Sequence, residues 1–261
     1  MLTLQEFRNQ NQLNHEAGII DEKSKLIMLW MPKAACTTSF IMMFKHLGLL
    51  EDALKCYGNI CIQSTNGWVH KYRKVYYKEY GYVNINDHLL SKKYFIFKVI
   101  RNPYDRAVSL YLSIIAATTK EKLKKISFDE FLKNIKINSG IFIVDNQIDI
   151  DITYHSCPQY VKDEEKYINK YVRLENGEKD ISEINKLHNI NLDINIDKNL
   201  TPYYIKHSTT SSENYLGDIS FDKLPSDIPT SYKCFYNELT KKLVEEIYAD
   251  DIINYKYNFY Q

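Results

Sequence analysis

The chain has 261 residues, 44% of them hydrophobic and 26% charged, with 34 basic against 33 acidic side chains and a net charge of +1. That composition belongs to a globular protein able to bury a sizeable core, and it excludes a disordered chain and any global attraction to nucleic acid or an anionic membrane. Residues 1–24 hold no apolar core of signal-peptide length and no apolar run approaches a membrane span, so a soluble, cytoplasmic protein without an integral membrane segment is expected.

In chain order, residues 1–25 are mostly polar and read as a lead-in helix or arm. Leu26 to Met31 is an unbroken apolar run, the pattern of a strand buried on both faces. Small and polar residues follow, Pro32-Lys33-Ala34-Ala35-Cys36-Thr37-Thr38. Phe40, Ile41, Met43, Phe44 and Leu47 then recur at helical spacing, with Thr37, Thr38 or Ser39 as cap and Gly48 as stop. Strand, tight loop and helix amino terminus together make an anion site. Unpaired amides point into the loop, Lys33 adds a full charge, threonine hydroxyls can donate, and small Ala34 and Ala35 let the backbone approach a ligand. The plainer alternative is an ordinary strand and helix with a solvated lysine. The loop is not the nucleoside-triphosphate pattern GxxxxGK[ST], because it lacks glycine and its lysine comes first.

Glu51 to Val69 carries turn signals, and Tyr72 to Tyr82 reads as a helix ending at Gly81. His88 lies in a polar loop before the second clear strand, Tyr94 to Ile100. Arg101 stands at that strand's carboxyl end, where open α/β sheets bind ligands. Asn102 can cap a helix with Pro103 at its first position, and Ser109 lies about two turns along it. An Arg101–Asp105 surface pair is the alternative there. Ser127 and Glu130 form a capping box. Residues 138–153 read either as an edge strand or as an irregular loop. His155 falls in Tyr154-His155-Ser156-Cys157-Pro158-Gln159-Tyr160. Tyr167 to Leu174 reads as a strand, Asp180 to His188 as a helix, 189–199 as a polar connector, 203–215 as a loop able to close over a ligand, and Tyr236 to Ile247 as an amphipathic helix. The five cysteines, at 36, 56, 61, 157 and 234, are odd in number and irregularly spaced, which fits reduced thiols. Cys56 and Cys61 can pair or bind metal, but no second pair joins them and no metal site is expected.

The Pro-Lys-small-small-x-Thr-Thr loop resembles the 5'-phosphosulfate loop of PAPS-dependent sulfotransferases, in particular the carbohydrate sulfotransferases of sulfotransferase family 2. Arg101 with Ser109 resembles that family's 3'-phosphate motif. His155-x-x-Pro158-Gln159 resembles an element that lies by the acceptor, with Ser156 where many members carry tryptophan. Ser127-Phe128-x-x-Phe131 and the closing Tyr248-x-x-Asp251 also look like family segments, so the resemblance runs colinearly over residues 26–260. It implies a P-loop-like α/β fold, a three-layer sandwich with a mostly parallel sheet flanked by helices. No internal repeat or long linker is visible in the sequence, so one domain over residues 1–261, with 1–25 as its polar lead-in, is the simplest reading. The resemblance implies PAPS as donor, PAP as product and a saccharide acceptor. Lys33, Ala34, Ala35, Cys36, Thr37 and Thr38 would hold the phosphosulfate, and Arg101 and Ser109 the 3'-phosphate. Lys33 would neutralise the leaving group without a metal. His155, and second to it His88, are the candidate general bases, although either can be a structural histidine. The alternatives are a non-carbohydrate hydroxyl acceptor, a nucleotide-dependent kinase, and a non-catalytic PAP-binding protein. The sequence does not set the oligomeric state.

Overall fold

The structure, a computed structural model, describes residues 18–56, 67–80, 92–117, 123, 125–197, 200, 207–208, 214–220, 228–229 and 232–259. In chain order these form strands β1 (Gly18–Asp21) and β2 (Leu26–Leu29), helices α1 (Cys36–His46), α2 (Leu50–Lys55) and α3 (Gly67–Tyr80), and strand β3 (Phe95–Ile100). Then come α4 (Pro103–Ala117), α5 (Phe128–Ile137), β4 (Ile143–Val144), β5 (Gln147–Ile148), α6 (Ile150–Ser156), β6 (Lys170–Arg173) and α7 (Gly177–His188). Last are β7 (His207–Ser208), β8 (Ile228–Pro229), α8 (Glu238–Ile247) and α9 (Ala249–Tyr255). They fall into two compact units, a sheet unit within His15–Arg101 and Asp163–Tyr204 and a helical unit within Asn102–Lys162 and Ile205–Gln261.

The sheet unit is built on strands in the order β1-β2-β3-β6, with β2, β3 and β6 parallel and β1 antiparallel to β2. Strand β2 is buried at every position, as its apolar run predicts, although it ends at Leu29 rather than Met31. Met28, Phe97, Val99 and Val172 face a core completed by Phe40 and Phe44 of α1, Trp68 and Tyr72 of α3, and Ile181 and Ile184 of α7. The alternate residues Ile27, Leu29 and Ile96 sit in a second cluster with Ile168, as the two-residue period of strands requires. The expected α/β class, a mostly parallel sheet flanked by helices, is present. Gly48, at φ 72, ends the turn after α1 where a left-handed residue is needed.

One expectation is corrected in this unit and another is extended. The presumed lead-in contains a strand, because Gly18–Asp21 pairs with Leu29 to Leu26 and buries Ile19. The Asp21 carboxylate then closes the turn by accepting the amides of Lys23 and Ser24, at 2.9 and 3.2 Å, and it lies 2.7 Å from the His46 ring. The polar connector after α7 also carries apolar side chains that pack. Leu192 is buried, with Ile190, Ile194 and Ile196 against the core, and the Asn185 side chain both donates to and accepts from the Leu192 backbone at 2.7 Å.

In the helical unit the caps of α4 and α5 are those the sequence announces. Asn102 Oδ1 accepts the Tyr104 amide ahead of α4, and Ser127 and Glu130 exchange both capping-box bonds at α5. Asn237 and Thr240 do the same at α8, which starts two residues after the expected Tyr236. Residues 138–153, undecided between strand and loop, are both a strand pair and a helix. β4 and β5 form a hairpin across Asp145 and Asn146, both left-handed at φ 51 and 58, the geometry of a type I′ turn. Asp149 then caps α6 by accepting the Ile152 amide. An aromatic core of Tyr111, Phe128, Phe131, Phe142, Phe235 and Tyr248 holds the unit together. Most of the loop expected over 203–215 lies outside the described residues. Among the described residues no helix is long and apolar enough to cross a membrane.

Candidate active site

The loop after β2 reverses direction with two left-handed alanine-class and lysine backbones and no glycine. Lys33 has φ 63 and Ala35 φ 55, while Ala34 between them is fully buried with its amide on the Met31 carbonyl at 3.2 Å. Left-handed conformations cost a non-glycine residue roughly 1–2 kcal/mol. Such strain clusters where a ligand is clamped, and alternating backbone handedness turns successive amides into one concavity.

Helix α1 begins at Cys36, one to three residues before the caps expected from the sequence, and its N-cap is Ala35. Ala35 offers no side-chain cap, so the amides of Cys36, Thr37 and Thr38 have no acceptor of their own. Ser39 is buried and spends its hydroxyl on the Ala35 carbonyl at 3.0 Å, which pins the loop. Thr37 and Thr38 are half-exposed on the first turn. The loop thus presents amides, two hydroxyls and the positive end of a helix dipole on one surface, the equipment for holding a tetrahedral anion.

Parallel pairing brings a second cation to the same sheet edge. Leu29 is level with Lys98, so the chain leaves β3 beside the loop that follows β2. The Arg101 guanidinium donates to the Lys33 carbonyl oxygen at 3.2 Å. Further along this edge, beyond β6, a cavity of about 790 Å³ is lined by Thr38, Leu174, Glu175, Gly177, Ile194 and Ile196 among others. Gly177 matters there, because a Cβ on it would come within 2.8 Å of Ile194 Cδ1. β3 itself carries a feature its sequence conceals, the buried Lys98 paired with buried Glu164. An ion pair removed from water is costly to desolvate and tolerates little displacement, so it fixes the 163–168 turn against the strand.

In the helical unit, His155 occupies the last turn of α6. Its Nδ1 lies 2.7 Å from the Asp151 carbonyl oxygen, an acceptor, so Nδ1 carries the hydrogen and Nε2 keeps its lone pair in the neutral ring. The side chain is 32% exposed, enough to meet a substrate. Ser156 is buried with its hydroxyl on the Thr153 carbonyl, so the position where tryptophan is common in the resembling family faces inward here. Gln159 is also buried, and its amide and that of Tyr160 bond to Asp251 at 2.9 and 2.7 Å. Arg106, buried as well, donates to the carbonyls of His155 and Cys157 at 3.0 and 2.7 Å. Burial pushes the Asp251 carboxyl up, and the Arg106 charge and the two amides act against that rise. Ser109 is half-exposed on α4. His88 lies outside the described residues.

A sequence model of the sulfotransferase family matches residues 17–258, nearly the whole chain. The chain belongs to the sulfotransferase family. No curated protein matches it, and no solved structure does. As a sulfotransferase the protein is an enzyme of sulfuryl transfer, and its α/β sheet with the loop after β2 accords with the P-loop-like fold expected of that family. Sequence reasoning passed over Arg106, and it named Asp251 only as part of the closing Tyr248-x-x-Asp251 segment, without its buried partners. Asp251 had a legible signal: Tyr248, Asp251, Ile252 and Tyr255 share one helical face, and an acid on an otherwise apolar stripe needs a buried partner.

Proposed function

We propose that the enzyme transfers the sulfuryl group of PAPS to a hydroxyl of a saccharide, and that both units act as one sulfotransferase domain. The family match running through segments of both units supports the single domain. The observation that carries the donor assignment is the glycine-free, doubly left-handed loop with Arg101 bonded to its Lys33 carbonyl. In this reading the amides of Cys36, Thr37 and Thr38, with the threonine hydroxyls and the small Ala34 and Ala35 backbone, hold the 5'-phosphosulfate. Arg101 and Ser109 take the 3'-phosphate, and the cavity beside Thr38 accommodates the nucleoside. The sulfur–oxygen bond to the leaving phosphate breaks as a bond to the acceptor oxygen forms. Lys33 neutralises charge growing on the leaving oxygen, the task a metal ion performs in phosphoryl transfer. His155 Nε2 receives the acceptor proton, with His88 as the second candidate. The saccharide assignment rests on the resemblance of the His155-x-x-Pro158-Gln159 segment.

Thermal unfolding with PAP, AMP and ATP–magnesium tests the donor site. PAP at a hundred times its dissociation constant is expected to add about 2.7 kcal/mol of stability, AMP much less, and Arg101→Ala is expected to abolish the difference. Stabilisation by ATP–magnesium and not by PAP replaces this reading with a kinase. Transfer of labelled sulfate from PAPS is then scanned over uronic-acid polymers, chitin oligosaccharides, simple glycosides, tyrosine peptides and phenols, with and without chelator. Transfer confined to the peptides or phenols removes the saccharide assignment, and strict magnesium dependence removes the role given to Lys33.

A further inference from the structure

The His155 to Tyr160 segment is gripped by two buried ionisable side chains that no step of the transfer uses. Arg106 takes its carbonyls: one guanidinium nitrogen, Nη2, donates to both His155 and Cys157, at 3.0 and 2.7 Å. Asp251 takes its amides, accepting from Gln159 and Tyr160, and it also lies 3.4 Å from Gln159 Nε2. The Arg106 guanidinium lies 5.6 Å from the centre of the Tyr248 ring, so the base of this clamp is aromatic. Arg106 is 1% exposed and Asp251 0%.

A structural need alone explains this poorly. Helix α6 has seven residues, and the carbonyls at the end of so short a helix can be satisfied by water or by a glycine turn. Burying a guanidinium and a carboxylate is a costly substitute. What the pair adds is a fixed register. With the carbonyl of residue 155 tied down, the α6 backbone from Asp151 to His155 cannot fray. The Nδ1 hydrogen bond that selects the tautomer runs across that same turn.

We infer that Arg106 is a positioning residue for His155, holding its ring in the tautomer that leaves Nε2 free to accept a proton, with Asp251 bracing the segment that follows. This rests on the reading of His155 as general base. Arg106 acts on the peptide that carries the base, and touches neither donor nor acceptor.

The test combines nitrogen NMR of histidine-labelled full-length enzyme with kinetics on the fastest acceptor of the panel above. The His155 ring is assigned by its absence in His155→Ala. In the wild type at pH 8 it is expected as the Nδ1–H tautomer. In Arg106→Lys it is expected to shift towards Nε2–H, with kcat lowered at least tenfold and PAP affinity within about twofold of wild type. Added to His155→Ala, the Arg106→Lys change is expected to cost nothing further. A wild-type tautomer and kcat in Arg106→Lys overturns the inference, and so does an equal tenfold loss in the His155→Ala background, since that marks a general structural role. If Arg106→Lys does not fold, Asp251→Asn, close in shape, carries the same expectations. A His155→Ala enzyme turning over at the wild-type rate is a different failure: it removes His155 as base, and the tautomer measurement, which involves no turnover, distinguishes the two.

Discussion

Lys33 occupies a left-handed backbone position where glycine would cost less, so the loop keeps a charged side chain against its conformational preference. An interaction that strengthens as charge develops on a leaving oxygen lowers the barrier, whereas one made equally to donor and transition state does not. Lys33→Ala is therefore expected to lower kcat by roughly 10²–10³-fold, the range for removing one preorganised donor, while PAP affinity falls far less. Steady-state kinetics and titration calorimetry with PAP separate the two. An equal loss in both would reduce Lys33 to a binding residue. At this scale the sequence was legible where a local pattern fixes a residue's place, as with Lys33 in the loop after β2 and Arg101 at the end of β3. It was opaque where a residue acts through burial. The second arginine of Arg101-Asn102-Pro103-Tyr104-Asp105-Arg106 looks like a surface charge in one dimension, and only the packed helix turns it onto the His155 and Cys157 carbonyls.

Among elements, β2, β3 and the helices α4 and α5 could be read because each follows from local physics: apolar runs in the two strands, a proline after an asparagine at α4, a capping box at α5. The start of α1 could not. Thr37, Thr38 and Ser39 are ordinary capping residues, yet all three lie inside the helix and Ala35 stands at the cap. The helix starts early because the left-handed Ala35 sets its first turn, and under the proposed donor site the uncapped amides are the ones that would hold the anion. Hairpin β4–β5 was hidden because its Asp-Asn turn is written in the same alternation of isoleucine and aspartate as the helix after it. The left-handed Ala35 gives this scale its prediction. Ala35→Gly is expected to raise unfolding stability by about 1 kcal/mol, the strain relief exceeding the extra entropy of the unfolded chain, and Ala35→Val to lower it by at least as much. Urea unfolding with unchanged slope checks both. A destabilised Ala35→Gly variant would show that the left-handed geometry carries no strain.

For the whole molecule, the division into units is set by how the chain is threaded. It leaves the sheet unit after Arg101, returns at Asp163 and leaves again after Tyr204. Neither unit is a continuous stretch, so neither closes its own core until the other's segment has been spanned, and a loop closed by an unfolded partner costs entropy with nothing to offset it. Such interleaving favours a single cooperative transition. Both tryptophans, Trp30 and Trp68, are buried in the sheet unit, whereas α4, α5 and α8 belong to the helical unit. Tryptophan emission therefore follows the sheet unit alone, and far-ultraviolet circular dichroism follows the helices of both. The two probes are expected to give one midpoint in urea, and saturating PAP is expected to move that midpoint equally for both. A red shift of the tryptophans well before the loss of helical signal, or a PAP response confined to the fluorescence, would make these two domains and withdraw the proposal of one.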